Sequence, residues 1–140
     1  MPPSHAAGHA VVLFAHGSRD PRWSEPIEAV ARTMRELAPD VPVACAYLEL
    51  TAPDLPTCVQ ALASQGARAI TVWPMFLGAG RHAREDLPRI AEQLRTSHPG
   101  IVIDVRTAIG EHQDVLACMA RTALDGITEV DAPIDRTKDA

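Results

Sequence analysis

The sequence predicts a single α/β domain with a flavodoxin-like open parallel sheet of four strands. Three observations indicate this fold. Apolar segments alternate with amphipathic segments, the apolar segments are continuously hydrophobic as in strands buried on both faces, and a length of 140 residues suits one domain. Because parallel strands need right-handed crossovers, we expect the strand order 2-1-3-4 with helices on both faces of the sheet.

Continuous apolar runs mark the four predicted strands. Each strand leads into a loop and then into an amphipathic segment, which gives the chain a βαβαβαβα order. The predicted strands cover residues 11–15, 43–48, 70–76 and 101–105.

Amphipathic segments predict the four helices. In the first, apolar residues recur at steps of three and four from Trp23 to Ala38, which gives the helix one apolar stripe, and Pro39 ends it. Gly66 and Pro99 similarly follow the second and third helices. The predicted ranges are about 23–38, 54–65, 83–97 and 111–124, and the fourth helix is expected to face inward with Val115, Leu116, Met119, Ala120 and Ala123.

The ends of the chain look different from its centre. We expect residues 1–9 to form a flexible lead, residues 10–125 a single domain, and residues 126–140 a loose, polar tail. No internal repeat or linker divides the central segment.

Composition excludes several classes of function. The net charge is −5 and Lys138 is the single lysine, so the chain has no general basic surface for nucleic acid. It has no apolar run long enough to span a membrane and no secretory signal, and we expect a cytoplasmic protein without a membrane partner. The chain has an odd number of cysteines, and they are widely spaced: Cys45, Cys58 and Cys118. This pattern favours cysteines that serve as buried small side chains over disulfides or a thiolate metal site.

Polar side chains follow three of the predicted strands. His16 follows the first strand, Glu49 ends the second, and His82 follows the third through a glycine-containing loop; each lies 33 positions after the one before. Since ligands of open α/β sheets bind outside the carboxyl ends of the strands, we expect the three side chains to converge there. Two imidazoles and a carboxylate suit a first-row divalent metal ion or proton transfer.

Arginines lie beside both histidines of this acidic chain. A guanidinium group matches carboxylate or phosphate with two parallel hydrogen bonds, so a local arginine cluster suggests a ligand that carries such groups. The candidates for binding substrate carboxylates are Arg19, Arg22, Arg81 and Arg84, and the alternative is plain solvent-exposed charge.

The three strand-end residues also have other interpretations. His16 could bond a backbone carbonyl in a tight turn, and Glu49 could be an exposed acid with no role. The glycine loop and helix start at His82 could bind phosphate instead, although a nucleotide P-loop motif is absent.

Other histidines and one acid are weaker candidates. His112, beside a predicted helix start, is a possible fourth group at the same edge. Asp86 is expected to cap its helix or to pair with Arg81 or Arg84. The remaining histidines are expected to be exposed in turns or in the lead: His5, His9 and His98.

The motifs together resemble those of the small class II tetrapyrrole chelatases, the sirohydrochlorin cobaltochelatases and ferrochelatases of the CbiX/SirB type. The resemblance rests on His-Gly-Ser-Arg-Asp at 16–20, on Tyr-Leu-Glu at 47–49 followed by Pro53, and on the segment from Pro74 to Pro88 with its Gly-Arg-His and Asp-Leu-Pro motifs. It covers roughly residues 10–124.

The resemblance implies insertion of cobalt(II) or iron(II) into sirohydrochlorin without ATP, on the route to cobalamin or sirohaem. It implies that His16 and His82 handle the metal and accept protons, assisted by Glu49. The metal would be a substrate and no prosthetic group is expected; imidazole also accepts nickel, so the residues leave the metal open. Short members of this type are expected to form homodimers.

Two other functions fit the same residues. The first is a non-catalytic carrier that binds a metal or a tetrapyrrole and passes it on. The second is a flavodoxin-like receiver or phosphate-binding regulatory domain, which ranks last because the clustered acidic residues of a receiver are absent.

Overall fold

The computed structural model describes residues 7–127. Its four strands form one parallel sheet with the predicted order β2-β1-β3-β4. Helices lie on both faces of the sheet, so the predicted fold class is confirmed. The strands are β1 (His9–Ala15), β2 (Val43–Tyr47), β3 (Ala69–Pro74) and β4 (Val102–Val105).

The central strand β1 pairs with β2 on one side and with β3 on the other. Ala15 lies opposite Tyr47, and Phe14 lies opposite Pro74, so the three strands end at nearly the same level. Hydrogen bonding continues past the strand ends: the N–H of Leu48 donates to the carbonyl of Ala15 at 2.9 Å. The loops that follow the three strands therefore start side by side.

The four helices begin and end within a few residues of their predicted bounds. They are α1 (Glu25–Leu37), α2 (Leu55–Ser64), α3 (Arg81–Ser97) and α4 (Gln113–Leu124). Asp54 caps α2 by accepting a 2.8 Å hydrogen bond from the N–H of Thr57, and hydrogen bonds from Thr57 lower the pKa of this carboxyl group. Short 3-10 turns at Pro21–Ser24 and Ile109–Glu111, which were not predicted, precede α1 and α4.

Successive residues of β1 supply two separate cores. Phe14 is fully buried in the larger core, between the sheet and helices α2 and α3, together with Leu55 and Leu87. Leu13 is buried in the smaller core beneath α1, against Ala31. Side chains that alternate across a strand thus bury both of its faces, as the continuous apolar pattern predicted.

Helix α4 does not bury the residues that were predicted to face inward. None of its residues is buried; Val115 and Met119 are half-buried, and Leu116 is 48% exposed. Its principal contact is the preceding 3-10 turn rather than the sheet. The prediction was wrong because amphipathic spacing identifies the residues that share a helix face but not the surface which that face meets.

The cysteines differ in their surroundings. All three are free thiols; Cys58 is buried, Cys45 is half-buried, and Cys118 is exposed on α4. The prediction of buried small side chains is therefore confirmed for Cys58 and wrong for Cys118. Burial raises the pKa of the Cys58 thiol to about 11 and also raises that of Cys45.

Two histidines predicted to be exposed are half-buried. His9 belongs to β1, where its Nε2 lies 2.8 Å from Oγ1 of Thr71, and His98 caps the end of α3. His5 lies outside the described residues, as do most of the predicted lead and tail. Within residues 7–127, no helix is both long and apolar enough to cross a membrane.

The three thiols should react with a disulfide reagent at different rates. We expect Cys118 to react first, Cys45 more slowly, and Cys58 only on unfolding, because a thiolate forms least readily where burial raises its pKa. Time-resolved labelling followed by peptide mass spectrometry measures the three rates. The Cys118→Ser variant should lose the fast phase, and rapid labelling of Cys58 in the folded chain would contradict the packing described above.

Candidate active site at the carboxyl ends of the strands

A cavity of about 520 Å³ opens at the carboxyl ends of β1 and β2 and beside the start of α3. Leu48 and Ile90, which also pack on the larger core, form its apolar part. All three strand-end residues predicted to converge line this cavity. Its lining residues are His16, Leu48, Glu49, His82, Asp86, Arg89 and Ile90.

His16 and Glu49 are in direct contact. Nε2 of His16 lies 3.1 Å from Oε1 of Glu49, and about half of each side chain is exposed, 50% and 56% respectively. The backbone holds the two residues together as well, since the N–H of Glu49 donates to the carbonyl of His16 at 3.0 Å. An exposed pair of this kind stabilises the fold by only about 0–1 kcal/mol. The pair therefore matters less for stability than for the chemistry of the site.

Gly17 makes this close approach possible. Its φ of +101° lies in a region that other residues rarely adopt, and a Cβ atom built on it would lie 1.7 Å from the carbonyl oxygen of Glu49. The backbone after β2 therefore occupies the space that a side chain at position 17 would fill. The glycine of the 16–20 motif is required for contact between the two loops.

A second contact joins the same loops. Oγ1 of Thr51 donates to the carbonyl of Ser18 at 2.8 Å and accepts from the N–H of Ser18 at 3.0 Å. Leu50, between Glu49 and Thr51, has a φ of +64°, which is uncommon for a residue with a branched side chain. These bonds fix the position of the Glu49 backbone relative to the β1 loop.

His82 enters the cavity from the first turn of α3. The helix starts after Gly80, which provides no side-chain cap, and His82 is exposed. Asp86, Arg89 and Ile90 follow His82 at steps of four, seven and eight residues, which is the spacing of one helix face. One face of α3 thus lines one side of the cavity.

The four predicted arginines do not line this cavity. Arg19 and Arg22 are exposed in the segment after Gly17, and Arg81 pairs with Glu85 at 3.2 Å. Arg84 lines a separate cavity of about 510 Å³ on another face of α3.

Four cavity residues were absent from the predicted site: Leu48, Asp86, Arg89 and Ile90. Asp86 was considered only as a helix cap or as a partner of Arg81 or Arg84, whereas its Oδ1 lies 3.4 Å from Nη2 of Arg89. The helical spacing from His82 could have identified the whole face, because residues at four, seven and eight steps share it.

His112 lies elsewhere. Its Nδ1 accepts a 3.2 Å hydrogen bond from the N–H of Asp114 and so caps α4, and its ring lies 6.4 Å from that of Trp73. It does not line the cavity.

The cavity offers metal donors that are spread over its walls. Among residues 7–127, no group of three or more His, Cys, Asp or Glu side chains is spaced to hold a metal ion. His16 and Glu49 are the pair in contact, and His82 faces the same space from α3.

The family model named CbiX matches residues 10–125. The chain belongs to the CbiX family. The match contains all four helices, the strands β2 to β4, β1 from its second residue onward, and the whole cavity, so the predicted resemblance is confirmed.

Named relatives and solved structures agree with this family. The chain is 39% identical over 80 residues to the sirohydrochlorin cobaltochelatase of Methanothermobacter thermautotrophicus, covering 57% of this chain and 55% of that protein. It resembles a crystal structure of a CbiX protein of cobalamin (vitamin B12) biosynthesis from Marinobacter aquaeolei VT8, with a TM-score of 0.72, 37% identity, and coverage of 82% and 93% of the two chains.

A longer structural relative was solved with metal. This is the sirohydrochlorin chelatase SirB from Bacillus subtilis subspecies spizizenii in complex with cobalt, with a TM-score of 0.66, 27% identity, and coverage of 84% of this chain and 50% of that one. The CbiX-family chain thus spans about half of SirB, and its match spans just over half of the Methanothermobacter protein.

Replacing the glycine of the loop contact tests how the site is built. We expect Gly17→Ala to lower the free energy of unfolding by about 2–3 kcal/mol, because the new methyl group meets the Glu49 backbone and the positive φ is strained. Denaturant unfolding measures this change. Gly78→Ala is the matched control, since a Cβ atom at Gly78 meets nothing within 4 Å; equal stability of both variants would contradict the loop contact.

Proposed function

We propose that this chain inserts a divalent metal ion, cobalt(II) or iron(II), into sirohydrochlorin without ATP, in cobalamin or sirohaem biosynthesis. One observation carries the proposal: His16, Glu49 and His82 line a single open cavity, with His16 and Glu49 in contact at 3.1 Å. Membership of the CbiX family and the chelatase names of its relatives support the same reaction.

The reaction sets three physical demands. Water must leave the metal ion, the macrocycle must deform so that its nitrogens can reach the ion, and two pyrrole protons must leave as the metal enters. The net reaction exchanges one divalent cation for two protons, so it needs no oxidant or reductant. A protein can assist by offering exchangeable metal donors and proton acceptors beside the ring.

The His16–Glu49 pair is suited to proton acceptance. An imidazole takes up a proton near neutral pH, and the adjacent carboxylate stabilises the imidazolium that results. We propose that His16 accepts a pyrrole proton and that Glu49 orients its ring through the Nε2–Oε1 contact. Half exposure of both groups lets the proton pass on to water.

His82 is proposed as the second metal and proton acceptor. It lies across the same cavity on a separate element, the first turn of α3, so a ring bound between the loops and α3 is accessible to both imidazoles. Imidazole and carboxylate donors bind cobalt and iron but exchange them more readily than a set of thiolates would. Release of the metal to the ring requires this exchange.

The metal-insertion proposal makes a direct prediction for the two histidines. His16→Ala and His82→Ala should each lower the rate of insertion by about 100-fold or more, because loss of a proton acceptor typically costs 10²–10⁴-fold. Steady-state absorbance assays with cobalt(II), iron(II) and nickel(II) measure this loss and the metal preference together. Both variants should melt near the wild-type temperature, since the His16 side chain is half exposed and His82 is exposed.

His98→Ala is the matched control, because His98 caps the opposite end of α3 and lies outside the cavity. It should keep wild-type turnover. The assay also separates an enzyme from a carrier: an enzyme forms many product molecules per chain, whereas a carrier forms at most about one. Near-normal turnover in both active-site variants would reject the proposed roles.

We further propose that the chain acts as a homodimer. It covers about half of SirB, and its cavity is open to solvent, so a second copy could close the space that one subunit leaves open.

Sedimentation equilibrium tests this assembly. We expect a mass of twice 15.0 kDa at assay concentrations, with specific activity that falls on dilution as the dimer dissociates. A monomer that keeps full specific activity over the whole range of dilution would reject the homodimer.

A further inference from the structure

We propose that Arg89, a residue outside the motifs that carry the family resemblance, binds a peripheral carboxylate of the tetrapyrrole and so selects the substrate. This inference rests on the proposed function and adds to it the residue that recognises the acidic side chains of the ring. Arg89 is the arginine among the lining residues of the cavity that contains His16, Glu49 and His82.

The position of Arg89 on α3 fits the shape of such a substrate. It follows His82 by seven residues, which corresponds to about 10 Å along the helix axis and nearly the same side of the helix. The metal-binding nitrogens of a tetrapyrrole lie at its centre, and its acetate and propionate groups lie at its rim. A group that acts on the centre and a group that binds the rim must therefore be separated in this way.

The contact that Arg89 makes in the free protein is weak enough to be replaced. Its Nη2 lies 3.4 Å from Oδ1 of Asp86, and the two side chains are 64% and 39% exposed. Such a surface pair contributes only about 0–1 kcal/mol, and it uses one of the five N–H donors of the guanidinium group. A substrate carboxylate can accept two parallel hydrogen bonds from that group, which is the stronger arrangement.

The other arginines of α3 are less suitable. Arg81 does not line the cavity that contains His16, Glu49 and His82. Arg84 lines the other cavity, and Arg95 donates two hydrogen bonds to the carbonyl of Ile103. Arg89 lines the cavity itself, and its exposed contact with Asp86 leaves the guanidinium group available to a stronger acceptor.

Binding of sirohydrochlorin without metal tests this assignment apart from catalysis. We expect Arg89→Ala to raise the Kd about tenfold, measured by quenching of intrinsic tryptophan fluorescence, and Arg89→Lys to give a smaller rise because it keeps the charge but loses the fork. In the insertion assay KM should rise with little change in kcat, since the carboxylate contact is the same before and during metal insertion.

Two control variants locate the effect. Arg121→Ala removes one exposed arginine from α4 and should leave the Kd within about twofold of wild type, which excludes a general charge effect. Arg84→Ala compares the two faces of α3: if it weakens binding as much as Arg89→Ala does, the proposal is overturned. Thermal melting of each variant confirms that it is folded.

A comparison of ligands gives a readout that misfolding does not produce. Wild type should bind uroporphyrin more tightly than coproporphyrin, which has fewer carboxylates, and Arg89→Ala should reduce that preference. If wild type binds or metallates sirohydrochlorin and Arg89→Ala behaves identically, only the role of Arg89 fails. If wild type neither binds nor metallates it, the proposed function itself fails.

Discussion

The site depends on parallel pairing of β1 with both of its neighbours. Ala15 lies opposite Tyr47 and Phe14 opposite Pro74, and this register brings the loops after β1, β2 and β3 to one edge of the sheet. A shift by one residue would turn the side chains of a strand to the opposite face, which two separately packed cores resist. Burial of Phe14 and Leu13 in those cores therefore also fixes the level at which His16 leaves the sheet.

Contacts of Gly17 and Thr51 hold the loop after β1 against the loop after β2 and so fix the geometry of the site. The absent side chain at Gly17 admits the Glu49 carbonyl, and the bonds between Thr51 and Ser18 hold the two loops together. Because the two backbones are fixed by these contacts, the His16–Glu49 pair is preorganised although its side chains are half exposed. The chemistry rests on loop-to-loop packing more than on the strength of one ion pair.

Two faces of helix α3 line two different cavities. His82, Asp86 and Arg89 share the face that lines the site, whereas Arg84 lies on the face that lines the neighbouring cavity. The rotation of the helix is set by buried Leu87 and Leu94, which pack on the sheet. Core packing thus decides which arginine a ligand in the site can reach.

The sequence by itself determined the fold class, the strand order and the three strand-end residues of the cavity. Hydrophobic periodicity can be recognised within each segment, and the connection rules of parallel sheets hold for all such folds. It did not determine which arginine lines the cavity, since proximity of Arg19 or Arg84 to a histidine along the chain is not proximity in space. Nor did it determine the exposure of Leu116 and Cys118 on α4. Those outcomes depend on how whole helices rotate and pack against the sheet. Long-range packing fixes that arrangement, whereas the spacing of apolar residues within one helix does not.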